Sequence, residues 1–154
     1  MNPERNPQQD QTSETPYGQI PKEYEMSVGV ILIDIAENKE KRTQKNIMGQ
    51  LEEEWEKIVD EKERAIHKTD YCMRYINTII KKQIEVISEV IISSREKFSQ
   101  ILSNETFLND LKIYIDDILE FLKEFNEFMG TKNIEPELQQ RVEEIQTLLS
   151  SNTE

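Results

Sequence analysis

Apolar residues recur at helical spacing from residue 48 to residue 149, and this periodicity constrains the fold more than any other feature of the sequence. The main stripe runs from Trp55 to Ile91, which is 36 residues in ten steps, or 3.6 residues per step. Its members are Trp55, Ile58, Lys62, Ile66, Thr69, Met73, Ile76, Ile80, Ile84, Ile87 and Ile91. These positions share one face of a helix. Because a helix cannot bury such a face alone, the stripe predicts partner helices from this chain or from another one.

A second periodic segment predicts a helix over about residues 105–129 that returns along the first. Ser103, Asn104 and Glu105 interrupt the pattern before it and are typical of a helix N-terminus, while Gly130 is typical of a C-terminal cap. The short connection makes the two helices antiparallel neighbours. The apolar positions follow strict heptads, the period of coiled coils: Leu108, Leu111, Ile115, Ile118, Leu122, Phe125 and Met129.

The N-terminal region is less regular. Residues 1–24 are rich in Pro, Gln, Asn, Thr and Glu, which predicts a disordered tail. Tyr17 and Ile20 are its few apolar anchors, and either form a short docking motif or are simply solvated. Residues 26–36 are the densest apolar stretch and fit either a helical face or, with many β-branched residues, a buried strand. A lone strand would lack a partner in this chain, so a helix is favoured.

Together these segments predict an all-α fold, an elongated helical bundle or coiled coil within a single domain at residues 25–150. One long helix covers about residues 47–102, and the heptad helix returns along it. A short C-terminal helix begins at Pro136, a residue favoured in the first helical turn. Its apolar face comprises Leu138, Val142, Ile145 and Leu149.

Composition restricts the partners. The chain of 154 residues has a formal net charge of −12, which disfavours direct binding to nucleic acid. The charge is uneven, because residues 71–103 hold five bases and three acids. No apolar run is long enough to span a membrane, and no Sec signal peptide is visible. The one cysteine excludes an internal disulfide, and we therefore expect a reducing cytoplasmic or nuclear location.

Residues that carry catalytic or metal chemistry are scarce. His67 is the one histidine, and its spacing from Glu63 does not match the paired Glu-x-x-His motifs of di-metal bundles. Cys72 lies five residues further on, about 140° around a helix, so the two side chains do not face each other. Glycine-rich phosphate loops and nucleophile elbows are absent from the sequence. The sequence therefore predicts no enzyme, cofactor, metal site or small-molecule substrate.

Two apolar surfaces are candidates for binding a partner. The first is the start of the long helix, with Trp55, Ile58 and Ile66. The returning helix reaches back only to about residue 79 at 1.5 Å per residue, which leaves this segment for another chain to cover. The second is an aromatic ladder with a period of seven, formed by Phe107, Tyr114, Phe121 and Phe128. The ladder is either core covered by the last helix or a docking face for a partner.

The function favoured by these features is a non-enzymatic interaction or scaffold subunit that acts by helix–helix association with itself or with another helical protein. One alternative is a small regulatory binding module of the chaperone or anti-activator type. Another is an exported filament or needle subunit like those of type III secretion, with the tail as its export signal.

Overall fold

The computed structural model describes residues 11–130 and 135–151, and within them the chain is all-α. It is 77% helical, with six helices and one small two-stranded sheet. The strands are β1 (Thr12–Thr15) and β2 (Gly18–Pro21). The helices are α1 (Val30–Lys41, preceded by a π turn at Glu25–Gly29), α2 (Ile47–Leu51), α3 (Glu61–Tyr75, Ile76–Ile80, Lys81–Ser88 and Glu89–Ser93 in continuous succession), α4 (Ser99–Leu102), α5 (Glu105–Met129) and α6 (Pro136–Ser151).

The prediction of a disordered tail is wrong for the described part of the N-terminal segment. There β1 and β2 form an antiparallel hairpin that pairs Thr12 with Pro21 and Thr15 with Gly18. Tyr17 at its tip is buried, and its hydroxyl donates a hydrogen bond of 2.9 Å to Asp110 on α5. Ile20 is buried as well. The hairpin has few apolar residues of its own, and it buries Tyr17 and Ile20 by docking on the helices. The part of the predicted tail at residues 1–10 lies outside the described residues.

The single long helix predicted for residues 47–102 is divided in three. α2 and a 3-10 turn (Glu52–Glu54) come first, α3 begins at Glu61, and α4 is separate. Asp60 caps α3 by accepting a hydrogen bond of 3.1 Å from the backbone N–H of Glu63. Arg64 then donates to the carbonyl oxygens of Ile58 (2.8 Å) and Val59 (3.3 Å), which satisfies the turn before the cap. Asp60 and Arg64 thus stabilise a break between α2 and α3, although the apolar periodicity of the sequence continues across this break.

Within α3, two π turns adjust the phase of the apolar stripe. Cys72, Ile76, Ile80 and Ile84 are buried at steps of four residues. A step of four exceeds the 3.6 residues of an α-helical turn, so the stripe would drift around a regular helix. The wider turn at Ile76–Ile80 absorbs the excess and keeps these four residues on one side.

The C-terminal half of the chain follows the sequence closely. α5 is capped by Asn104, whose side chain accepts a hydrogen bond of 3.1 Å from the backbone N–H of Phe107. It ends at Gly130, which adopts the left-handed conformation at φ 71°. The predicted helix favoured at residues 26–36 and the last helix from Pro136 are also present as α1 and α6. α5 packs against both of these helices.

Polar contacts fix the register between α1 and α5. Asp117 on α5 is buried and accepts hydrogen bonds of 2.9 Å from Asn38 on α1 and from Arg42, the C-cap residue of α1. One heptad earlier, buried Asp110 lies 3.4 Å from the ammonium group of Lys39. A buried carboxylate is costly without such partners, so these contacts disfavour other alignments of the two helices.

Candidate interaction surfaces

Trp55, the first predicted partner anchor, is buried by its own chain, with 3% of its surface exposed. Its ring centroid lies 6.2 Å from that of Tyr71 on α3. The expectation that this segment needs another chain assumed one continuous helix, whereas the turn before Asp60 folds Trp55 back onto α3. Ile58 is half-buried in the same core, while Ile66 remains 59% exposed.

The aromatic ladder is core at three of its four positions. Phe107 packs edge-on against Tyr17 at 5.1 Å between ring centroids, and Phe121 packs edge-on against Tyr75 at 5.6 Å. The hydroxyl of Tyr114 donates to the side-chain carbonyl of Gln83. The ladder therefore contacts the hairpin and α3 rather than only the last helix.

The fourth ladder residue, Phe128, is 39% exposed and belongs to a surface at one end of the bundle. The ammonium group of Lys68 lies 4.0 Å from its ring centroid, a cation–π contact. Thr69 lies 3.5 Å from the sulfur of Met129, and Ile66 is one helical turn before Thr69. Ile66 thus lies on the helix whose neighbouring residues Lys68 and Thr69 contact Phe128 and Met129. Ile66, Phe128 and Met129 are called the end patch below.

A larger apolar surface was not predicted from the sequence. Met26, Val30 and Ile33 follow one another at helical steps of four and three, and they are 86%, 50% and 46% exposed. The buried residues Ile31 and Ile35 lie on the opposite side of α1. The signal for this second face was present in the density of apolar residues at 26–36, since one helical face does not accommodate them all.

The outer face of α1 borders a groove between α1 and α3, called the α1–α3 groove below. Its apolar part has a volume of about 160 Å³ and is lined by Met26, Val30 and Ile79 among others. Its polar part has a volume of about 250 Å³. Asp34, Ile79 and Gln83 line both parts, so the two are continuous. The π turn of α3 places Ile79 at this junction, where its side chain is 38% exposed.

A hydrogen-bonded chain of side chains forms the floor of the polar part. Tyr114 donates to Gln83, and the amide nitrogen of Gln83 donates to Asp34 at 2.9 Å. Burial raises the pKa of Asp34 above its ordinary value, and the nearby Glu37 raises it further, while Gln83 and Lys41 act in the opposite direction. Burial also raises the pKa of Tyr75, which lines the groove, to about 12. Burial raises the pKa of Tyr114 as well, so both tyrosines are neutral hydrogen-bonding groups at physiological pH.

His67 and Cys72, the candidates for reactive chemistry, differ in environment, because His67 is exposed and Cys72 is buried. The Nδ1 atom of His67 is 2.9 Å from the carbonyl oxygen of Glu63 on the exposed side of α3. Cys72 is buried with its sulfur 3.9 Å from that of Met48, and burial raises the pKa of the thiol to about 11.

Over residues 11–130 and 135–151, no three metal-binding side chains form a group that could hold an ion. No helix in this part of the chain is long and apolar enough to cross a membrane.

No protein-family model matches this chain, and no curated protein or solved structure matches it either.

Proposed function

We propose that this chain is a non-enzymatic helical interaction module that binds a helix of another protein along the α1–α3 groove. The observation that carries the proposal is that α1 is apolar on two faces. Its inner face is buried in the core, whereas Met26, Val30 and Ile33 on its outer face are exposed. A helix that is apolar on more than one side is typically covered by more than one neighbour.

The shape of the groove favours a helix as the occupant. Met26 in the π turn and Val30 at the start of α1 lie one turn apart, and Ile79 on α3 lines the same part of the groove. A partner helix that presents apolar residues at i, i+3 or i+4 and i+7 packs such side chains into a groove of this kind. Contiguous apolar surface rimmed by polar residues is characteristic of protein-binding sites.

The polar part of the groove indicates the charge of the partner. The carboxylate of Asp34 accepts a hydrogen bond from Gln83, and none of the cations in the described chain forms an ion pair with it. Of the two lysines that line the groove, Lys41 lies 3.6 Å from Glu37, and Lys82 lines the apolar part. A lysine or arginine of the partner that enters beside Asp34 would supply the missing cation. The net charge of −12 attracts a basic partner over longer range.

The end patch supports a second candidate, a scaffold subunit that associates with its own copies. The heptad residues Leu111, Ile115 and Ile118 on α5 are fully buried within the chain, so they do not offer a coiled-coil seam to another copy. Self-association would instead use Ile66, Phe128 and Met129. Fewer side chains are exposed there than along the α1–α3 groove, and we therefore prefer the groove.

Site-specific photo-crosslinking separates the two surfaces. A benzoylphenylalanine is introduced at Ile33 in one variant and at Ile66 in a matched one; both positions are exposed and helical. In cells that produce the protein, we expect the Ile33 variant to crosslink to a basic helical segment of one partner. Met26→Ser with Val30→Ser should abolish that crosslink without unfolding the chain. Crosslinks from Ile66 alone, to a second copy of the chain, would support the scaffold instead.

The exported-subunit alternative remains a prediction about residues 1–24. Deletion of residues 1–10 tests it without removing β1 or β2, whereas a longer deletion would also expose the core beneath Tyr17. Unchanged secretion after deletion of residues 1–10 would count against an export signal there.

A further inference from the structure

A second cavity, called the Arg95 cavity here, lies where four helices meet at the C-terminal end of α3. Its volume is about 430 Å³, within the range of about 300–1,000 Å³ that is typical of small-molecule pockets. Residues of α3, α4, α5 and α6 and of the turns that adjoin them form its walls. They are Ile91, Arg95, Ser99, Leu102, Ser103, Leu108 and Leu149.

The walls are mainly aliphatic, with a small polar group on one side. Ile91 and Leu149 are buried, and Leu102 and Leu108 are half-buried. Arg95 is the one charged residue among the described lining residues. No hydrogen bond or ion pair of its guanidinium group occurs within the described chain, although Lys97 two residues later pairs with Glu23. Arg95 therefore has hydrogen-bond donors available for a ligand.

Two serines extend the polar side. The hydroxyl of Ser103 donates a hydrogen bond of 2.9 Å to the carbonyl oxygen of Gln100. The hydroxyl of Ser99 has no partner in the described residues and is available as a donor. Ser103 and Leu108 flank the first turn of α5, where the helix dipole favours negative charge. Glu105 already occupies that first turn, so the donors that the cavity offers to an anion are the guanidinium group of Arg95 and the hydroxyl of Ser99.

The charged residue of this site, Arg95, is positive, whereas the net charge of the chain is negative. The net charge is −12, and the α1–α3 groove is lined by two acids, Asp34 and Glu37, and by two lysines, Lys41 and Lys82. Five of the seven lining residues of the Arg95 cavity, from Ile91 to Ser103, belong to the segment 71–103, which carries five bases against three acids. The cavity combines an aliphatic wall with one cation, which matches a ligand that has an apolar chain and a single anionic head group.

We propose that the Arg95 cavity binds an acyl carboxylate of medium chain length. The alkyl chain packs on Ile91, Leu102, Leu108 and Leu149. The carboxylate pairs with the guanidinium group of Arg95 and accepts a hydrogen bond from Ser99. Guanidinium groups match carboxylates in geometry and form strong charge-assisted hydrogen bonds with them.

Calorimetric titration of the full chain with decanoate, decanol and decyltrimethylammonium, each below its micelle concentration, tests the head group. A charged hydrogen bond contributes about 1.5 kcal/mol or more, so decanoate should bind about tenfold more tightly than decanol. Arg95→Gln should remove this difference, whereas Arg74→Gln, a change at an exposed arginine in the first half of α3, should leave it unchanged. Equal affinity for all three ligands, or a difference that survives Arg95→Gln, would overturn the proposal.

A chain-length series tests the apolar wall. From octanoate to dodecanoate, each buried methylene should raise affinity about fourfold until the cavity is filled. Methyl NMR signals of Ile91 and Leu102 should shift on addition of decanoate, while that of Ile66 should not. Leu102→Ser should weaken decanoate and decanol equally. Shifts confined to the α1–α3 groove or to the end patch would show that the ligand binds elsewhere and would exclude this site.

Discussion

The two halves of α3 carry the same sequence stripe but have different environments. In the first half, Glu61–Tyr75, Cys72 is the one buried residue, and Ile66 on the stripe is 59% exposed. The second half, from Ile76 to Ser93, is buried on more than one face. Its buried residues are Ile76, Ile80, Gln83, Ile84, Val86, Ile87, Ser88, Val90 and Ile91.

Neighbouring elements explain the difference. The second half of α3 is contacted by α1 and α6, whereas α2 and the turn after it supply the cover of the first half. Helical periodicity therefore identifies which residues share a face, while burial of that face depends on which elements reach it. The α1–α3 groove lies where the two halves join, at Tyr75 and Ile79.

The largest expected effect comes from truncating the stripe in the buried half. Ile80→Ala should lower the free energy of unfolding by about 4 kcal/mol, because Ile80 is fully buried and its loss leaves a cavity. Ile66→Ala, the matched change in the exposed half, should change it by less than about 0.5 kcal/mol. Urea denaturation followed by circular dichroism measures both. Similar losses for the two variants would show that the halves do not differ.

A somewhat smaller effect is expected at Trp55, which covers the first half. Trp55→Ala should destabilise the chain by about 3 kcal/mol, since its ring is buried against Tyr71 at the margin of the core. Sedimentation of wild type and variant at matched concentrations provides the control. Loss of an oligomer with unchanged stability would restore the sequence-based expectation that Trp55 binds another chain.

The helices whose local signals agree with each other could be predicted from the sequence. For α5, the cap at Asn104, the heptads and Gly130 all indicate the same bounds, and the structure has them at Glu105–Met129. The break before α3 has a comparable local signal in Asp60 and Glu63. It was obscured by the surrounding glutamates and lysines, which favour helix and continue its periodicity.

The remaining features depend on contacts between residues distant in sequence. The hairpin is polar, and its stability depends on Tyr17 reaching Phe107 and Asp110. The Arg95 cavity is lined by both Ile91 and Leu149, which are distant in sequence, and no local sequence pattern predicts that they line the same cavity. Of the predicted site residues, Phe107, Tyr114 and Phe121 belong to the aromatic ladder, for which the sequence left two alternatives open. Their alternatives, core or docking face, differed only in tertiary contacts, and the structure places them in the core.

Cys72 reports on the boundary between the two halves through its pKa, which burial raises from 9.0 to about 11. The thiolate is the reactive form, so a shift of two units should slow alkylation at pH 8 about a hundredfold relative to the unfolded chain. The alkylation rate of the native protein should keep rising with pH up to about 11, while that of the urea-unfolded protein should level off near 9. Coincident profiles would mean that the first half of α3 does not protect Cys72.

The smallest effect concerns Asp34 in the α1–α3 groove. Its pKa is raised in the folded state, so the protonated form is favoured there. Its contribution to stability is therefore present at pH values below the ordinary pKa of an aspartate and is lost as the pH rises through the raised value. Asp34→Asn should become more stable relative to wild type between pH 3 and pH 7, while Glu37→Gln serves as the neighbouring control. A difference that is constant with pH would contradict the burial of this carboxylate.

Hydrogen exchange along α3 tests the difference between its two halves most directly. Amides in the second half, around Ile80, Ile84 and Ile87, should exchange only through global unfolding, because core residues cover them. Amides between Glu61 and Thr69 should exchange through local opening, with a free energy at least about 2 kcal/mol lower. This pattern in native-state exchange followed by mass spectrometry would confirm that one helix has a core half and a surface half. Uniform protection from Glu61 to Ser93 would contradict it.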